Sequence, residues 1–294
     1  MELYKIGKES AEKIEKNPIL LEKQLQNIVE NNLELLFSAK LLATEHPTGD
    51  KHGGRIDTLG LDENNSPVII EYKLKESVNV MNQALFYLDW LLDHKADFEL
   101  LVIKKLGQGV KIDWSSPRVI CVVGSFTKYD QYAISQIGRP IELVQYKSFR
   151  NDIILLDRVE SGQGEPQKKQ GKTRVNDREA TIEDHVKRGS ASTIPLFEEI
   201  REYITNLGDD VEEAVRKDYI AYRTLKNFCC LEIHKQNVLL YLKISPDQID
   251  DPLRITRNVK NIGHFGTGNL EVRVDRSESI EEAKRLINAS YQTV

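Results

Sequence analysis

Two acids and a lysine stand close together between Gly53 and Lys73: Asp57, then Glu71 and, two residues on, Lys73. The runs Arg55-Ile56-Asp57-Thr58-Leu59-Gly60 and Val68-Ile69-Ile70-Glu71-Tyr72-Lys73 contain strand formers, and the polar stretch from Asp62 to Pro67 between them is made of turn residues. That is the pattern of a hairpin. A turn centred near Asn64 sets Asp57 opposite Glu71, and the two-residue period of a strand puts Lys73 on the same face as Glu71. Ile70, Tyr72 and Leu74 then face the other way, into a core. Two neighbouring carboxylates repel unless a cation lies between them. Hard oxygen donors suit Mg2+ or Mn2+, with the Tyr72 carbonyl as a further donor. An ammonium beside such an ion can orient an attacking water and stabilise charge growing on a phosphate. Phosphodiester hydrolysis is the chemistry that fits. The same residues also fit a solvated hairpin with charges on its surface, because three positions make a short pattern.

The flanking elements must position these groups. From about Asn17 to Phe37, Leu21, Leu25, Ile28, Val29 and Leu36 recur at helical spacing, and Pro18 stands where a helix can start. On that helix Glu22 falls at the border of the apolar stripe and Glu30 well outside it. Glu22 is therefore the candidate third acid, with Glu30 in reserve; a plain surface charge is the alternative. Residues Lys40 to Glu45 read as a strand. The loop from His46 to Gly54 carries Lys51 and His52 just ahead of Arg55, and with Lys75 these cations suit a phosphate backbone; His52 reads as a loop residue rather than a ligand. A second helix runs from Val78 to about Asp93. Its stripe is Val80, Ala84, Leu88 and Leu91, with Trp90 packed. Gln83 and Tyr87, four apart, share a helix face. They could hold the lysine or a nucleotide, or be a surface amide and a core ring.

Further along, Phe98–Lys104 and Arg118–Val123 read as strands, Lys128–Ile137 as a helix capped by Gly138, and Ile141–Tyr146 and Asp152–Leu156 as the last strands of a mixed sheet flanked by helices. The stretch from Glu160 to Arg174 has no large apolar residue and reads as a flexible linker. A second folded unit follows. Leu196–Leu207 reads as a helix ended by Gly208, and Val211–Lys217 as a short one. Ala221–Ile233, Val238–Ile244 and Leu270–Val274 read as strands, and Ile280–Tyr291 as a closing helix. The expected division is 1–158, a linker over 159–181, and an α+β unit over 182–294. The loop Gly263–Gly268 lacks the lysine and hydroxyl of a phosphate-binding loop. His264 and Arg257 offer a polar pocket there, or a structural turn.

The chain has 294 residues, 40% hydrophobic and 30% charged, enough for two domains of ordinary size. Its formal net charge of −5 excludes a generally basic nucleic-acid binder, so any such contact comes from a local patch. No apolar run approaches a membrane span, and the start lacks the form of a signal peptide, so the expected location is cytoplasmic. Cys121, Cys229 and Cys230 show no zinc or redox spacing and read as core thiols.

With these residues set out, the first part of the chain resembles the PD-(D/E)xK nuclease superfamily, and within it the NucS-like endonuclease group. The likeness covers roughly Asn17 to Phe149 and is carried by Arg55–Gly60, Val68–Lys73, and Gln83 with Tyr87. Ile56 stands where the signature proline would be. The resemblance implies a restriction-endonuclease-like α/β fold and divalent-metal hydrolysis of DNA. It implies Asp57 and Glu71 as metal ligands, Lys73 as the catalytic lysine, Glu22 as the helical acid and Gln83 as the helix glutamine. A homodimer would suit cleavage of both strands. The alternative is a nuclease fold that only binds nucleic acid or regulates. The second unit is similar to an uncharacterised domain often found after such nucleases, on Asp218–Tyr222, Asp251-Pro252, Arg257–Val259 and Gly263–Gly268, which implies an accessory role.

Overall fold

The computed structural model describes residues 2–49, 53–74, 80–127, 129, 130, 133, 134, 141–161 and 180–294. The chain divides into two compact units, described separately. One comprises Met1–Leu35, Ala39–Ile112 and Pro117–Lys168; the other comprises Leu36–Ser38, Asp113–Ser116 and Lys169–Val294.

The first unit opens with a small antiparallel pair, β1 (Leu3–Ile6) and β2 (Ala11–Ile14). Helix α1 (Glu22–Asn31) and the short α2 (Leu33–Phe37) follow. The single helix expected over 17–37 is thus two, parted at Asn32, whose side chain folds back to the Ile28 carbonyl at 2.8 Å. An asparagine that bonds nearby backbone competes with the helical ladder. In α1, Leu25, Gln26 and Val29 are buried, the inner face of an amphipathic helix.

The main sheet has six strands: β3 (Ala39–Pro47), β4 (Arg55–Asp62), β5 (Pro67–Lys73), β6 (Arg118–Val123), β7 (Ile141–Phe149) and β8 (Ile153–Ser161), in that spatial order. β5, β6 and β7 run parallel; the other neighbours are antiparallel. Every residue from Val68 to Tyr72 is buried, and so is all of β6, as parallel strands covered on both faces must be. Between β5 and β6 lie α3 (Val80–Asp93) and α4 (Lys95–Leu106). The expected mixed sheet with flanking helices, joined to a second α+β unit, is the observed fold class.

Helix α4 corrects the strand expected over Phe98–Lys104. Phe98 and Val102, four apart, are buried, whereas Leu100 and Ile103 are exposed. The apolar run Leu100–Ile103 is four residues, too short for its period to be read, and the helix around it decides. Of the helix expected over 128–137, Tyr129, Asp130, Ala133 and Ile134 are helical; the rest, with Gly138, lies outside the described residues.

The second unit begins with α5 (Ile182–Val186) and α6 (Ile194–Thr205), then β9 (Glu212–Val215), β10 (Ile220–Arg223), β11 (Asn227–Ile233), β12 (Val238–Leu242), β13 (Thr256–Asn258), β14 (Leu270–Val274) and α7 (Ile280–Tyr291). Its sheet is antiparallel throughout, ordered β13-β14-β12-β11-β10-β9. Leu196, Ile200, Leu231, Leu240, Val272 and Leu286 belong to its core. Two expectations change here. The helix over 211–217 is the edge strand β9, whose hydrogen bonds to β10 outweigh a weak local preference. The single strand over 221–233 is two, β10 and β11, with a register shift at Tyr222/Arg223.

Candidate active site

The β4–β5 register pairs Thr58 with Ile70, which continues to Asp57 across from Glu71. Side chain and backbone interlock at that point. The Asp57 amide donates to Glu71 Oε1 at 3.1 Å, and the Tyr72 amide donates to Asp57 Oδ2 at 3.1 Å. The two carboxylates are therefore fixed just past the last β4–β5 pair, where N–H groups that face across the hairpin are free to be used. The Tyr72 side chain points away, its hydroxyl 3.0 Å from Thr58 Oγ1.

Glu71 is fully buried, and among the described residues its Oε2 has no hydrogen-bond partner. Burial, and next the charge of Asp57, push its pKa up to about 9. Burial also raises Asp57, against the pull of the Tyr72 amide and Lys73. A buried carboxyl with an orphaned oxygen, beside a second acid, is a costly arrangement unless something positive completes it. These residues fit a divalent cation. Among the described residues no group of three or more His, Cys, Asp or Glu side chains converges to hold an ion. Two carboxylates, with the remaining positions left to backbone, water and phosphate, are the donor set that Mg2+ commonly accepts.

Lys73 Nζ lies 3.1 Å from Glu22 Oε2, in the first turn of α1. Burial works against the ammonium, but the hydrogen bond to Glu22 and the charges of Glu22, Asp57 and Glu71 outweigh it and raise the pKa. Glu30 is placed elsewhere: it accepts from Thr58 at 2.6 Å, Thr44 at 2.9 Å and Gln26 at 3.1 Å. Of the two helical acids, Glu22 is the one that meets the lysine.

Gln83 donates to the Tyr87 hydroxyl at 3.2 Å, and that hydroxyl accepts from the Arg55 amide at 3.2 Å. This pair grips the start of β4. Gly54 lets the ring in, since a Cβ there would sit 2.9 Å from Tyr87 Cε1. The Arg55 side chain pairs with Glu45 at 2.7 Å, and Glu45 also pairs with Lys23 at 3.2 Å. Glu45 and Lys23 are site neighbours that sequence reasoning missed. Glu45 ends the strand expected over 40–45, and only the length of the next loop tells which residue it faces. Lys51, His52 and Lys75 lie outside the described residues.

In the second unit, the His264 ring stacks on Tyr241 at 4.4 Å and its Nδ1 donates to the Ile262 carbonyl at 2.8 Å. Arg257 pairs with Glu271 at 4.0 Å.

Residues 182–294 match the family described as Domain of unknown function (DUF5655). The chain is 29% identical over 304 residues to a Haemophilus influenzae protein described as uncharacterized, across 99% of this chain and 100% of that one. Among solved structures it is similar to a repair endonuclease from Pyrococcus abyssi (19% identity, TM-score 0.30, 44% of this chain and 49% of that one). It is also similar to EndoMS in complex with double-stranded DNA (19% identity, TM-score 0.25, 44% and 47%). The matched region spans about half the length of either solved chain. Among the described residues no helix is long and apolar enough to cross a membrane.

Proposed function

We propose that this chain is a divalent-metal-dependent endonuclease that hydrolyses phosphodiester bonds in DNA. One observation carries the reading: Asp57, Glu71 and Lys73 share one end of a hairpin, and a fully buried glutamate there has an oxygen with nothing to bond. Asp57 and Glu71 would hold Mg2+ or Mn2+. The Tyr72 carbonyl is their companion, because an antiparallel residue directs N–H and C=O to the same neighbour and the Tyr72 N–H is already on Asp57. The ion would supply charge neutralisation at a phosphate oxygen. Lys73, held in its ammonium form, orients the attacking water and meets the charge that develops on the phosphate. Glu22 fixes the lysine. Tyr87, paired with Gln83, anchors the backbone of Arg55, a cation that would meet the nucleic-acid backbone.

A cleavage panel over single-stranded, duplex and branched DNA and RNA, with Mg2+ and with Mn2+, tests this. Glu71→Ala and Lys73→Ala are expected to lose at least about a thousandfold in rate with unchanged circular dichroism. Equal rates in wild type and both variants would remove the hydrolase reading. Binding without cleavage, and no stoichiometric metal site by calorimetry, would leave a binding module.

A further inference from the structure

We propose that Glu45 is an internal stand-in for a substrate phosphate: it occupies Lys23 and Arg55, which together form a phosphodiester-binding pair at the rim of the site. This rests on the nuclease reading for its substrate class. The register pairs Thr44 with Thr58 and His46 with Ile56, so Glu45 stands across from Asp57. Glu45 lies in the left-handed region at φ 52, a conformation rare for a residue other than glycine. Such residues persist where their surroundings over-determine them, and they cluster at ligand sites. What Glu45 does from that position is bridge two cations from different elements. Its Oε2 is 2.7 Å from Arg55 Nε on β4, and its Oε1 is 3.2 Å from Lys23 Nζ on α1.

The cations face outward and the acid inward, with side chains 66% exposed for Arg55, 51% for Lys23 and 29% for Glu45. A nucleic acid therefore reaches the positive groups first. Lys23 Nζ has a second partner in Gln26 Oε1 at 3.0 Å, and the Arg55 backbone is anchored by its amide on Tyr87. The lysine is held, and the arginine is anchored at its base, when the acid lets go. A phosphate offers Arg and Lys the same oxygen acceptors as a carboxylate, with charge assistance in both cases. Exposed ion pairs of this kind are weak, so exchange for a phosphate is easy. The exchange leaves Glu45 unpaired within range of Asp57, whose carboxyl already feels its charge. Binding of a backbone is thereby opposed until the cations change partner.

Full-length protein is titrated with a short fluorescent DNA, offered single-stranded and duplex, in chelator so that nothing is cut. Glu45→Gln is expected to bind on the order of tenfold more tightly at low salt, with a log–log salt slope steeper by about one for each cation released. Glu45→Gly, at home in the left-handed region, is expected to bind alike and to melt no lower than wild type. In a Lys23→Ala/Arg55→Ala background, Glu45→Gln is expected to change nothing. Unchanged or weaker binding with an unaltered slope overturns the inference, as does a gain that survives in that background or no DNA binding by any of these proteins. Tighter binding by Glu45→Gln in a chain that never cleaves would keep this inference and remove the nuclease reading. Cleavage by wild type with no Glu45 effect would do the reverse.

Discussion

Glu71 sets the pH behaviour of the site. Its carboxyl is neutral in the folded, ion-free chain up to about pH 9 and ionises near pH 4.5 when unfolded. A raised acid contributes stability that is complete below its unfolded pKa and is lost as pH climbs toward the folded value. The melting temperature in chelator is therefore expected to fall between about pH 4.5 and 9 more steeply for wild type than for Glu71→Gln. Thermal melts across that window check this, and parallel curves for the two proteins would refute it. A divalent ion needs the ionised form, so Mn2+ is expected to restore wild-type stability most at the alkaline end and to release a proton on binding. Proton release is read by calorimetry in buffers of different ionisation heat. At this scale the juxtaposition was legible early: Asp57 across from Glu71, with Lys73 two residues on, follows from strand period and one turn. The orphaned Glu71 oxygen was not, because burial on both faces of β5 is decided by helices far along the chain.

At the scale of elements, the lysine depends on how β5 ends. The Gly124 amide donates to the Lys73 carbonyl at 3.1 Å, and a Cβ on Gly124 would stand 2.2 Å from the Leu74 oxygen. Backbone cannot yield that distance without moving Lys73. Gly124→Ala is expected to cost about 1–3 kcal/mol in chemical denaturation and to depress metal-dependent cleavage beyond what the lost stability explains. Tyr87→Phe removes the acceptor for the Arg55 amide and the Gln83 side chain. Its expected cost is about 1 kcal/mol, with weaker DNA binding seen in anisotropy. The elements misread from sequence share a cause. Phe98–Lys104 is rich in strand formers yet lies in a helix with Phe98 and Val102 inward, and 211–217 is locally helical yet forms the edge strand β9. In both, neighbours supplied by the fold outweigh residues that locally favour either state. Helix α7, with a strong apolar stripe of Ile280, Ala283, Leu286 and Ile287, was legible to the residue.

At the scale of the molecule, each unit carries a sheet and a core of its own, so the two are expected to part under protease. Strand β8 runs to Ser161 and helix α5 starts at Ile182, which brackets the polar stretch between them. Limited trypsin digestion is expected to cut first at the lysines and arginine of 168–174 and to leave two resistant fragments, seen by mass spectrometry. First cuts inside β5 or α3 would contradict that picture. The linker expected between the units lies mostly outside the described residues, and the split of 221–233 into two strands needed the register of β10 on β11.

The three cysteines are free and buried, Cys121 on β6 and the Cys229–Cys230 pair on β11. Burial also pushes the Cys121 and Cys229 thiols upward, away from the reactive thiolate. An alkylating reagent thus finds nothing to modify until a sheet opens. Because one sulfur belongs to the first sheet and two to the second, mass-resolved alkylation gives each half of the chain its own clock for opening, with no label engineered in.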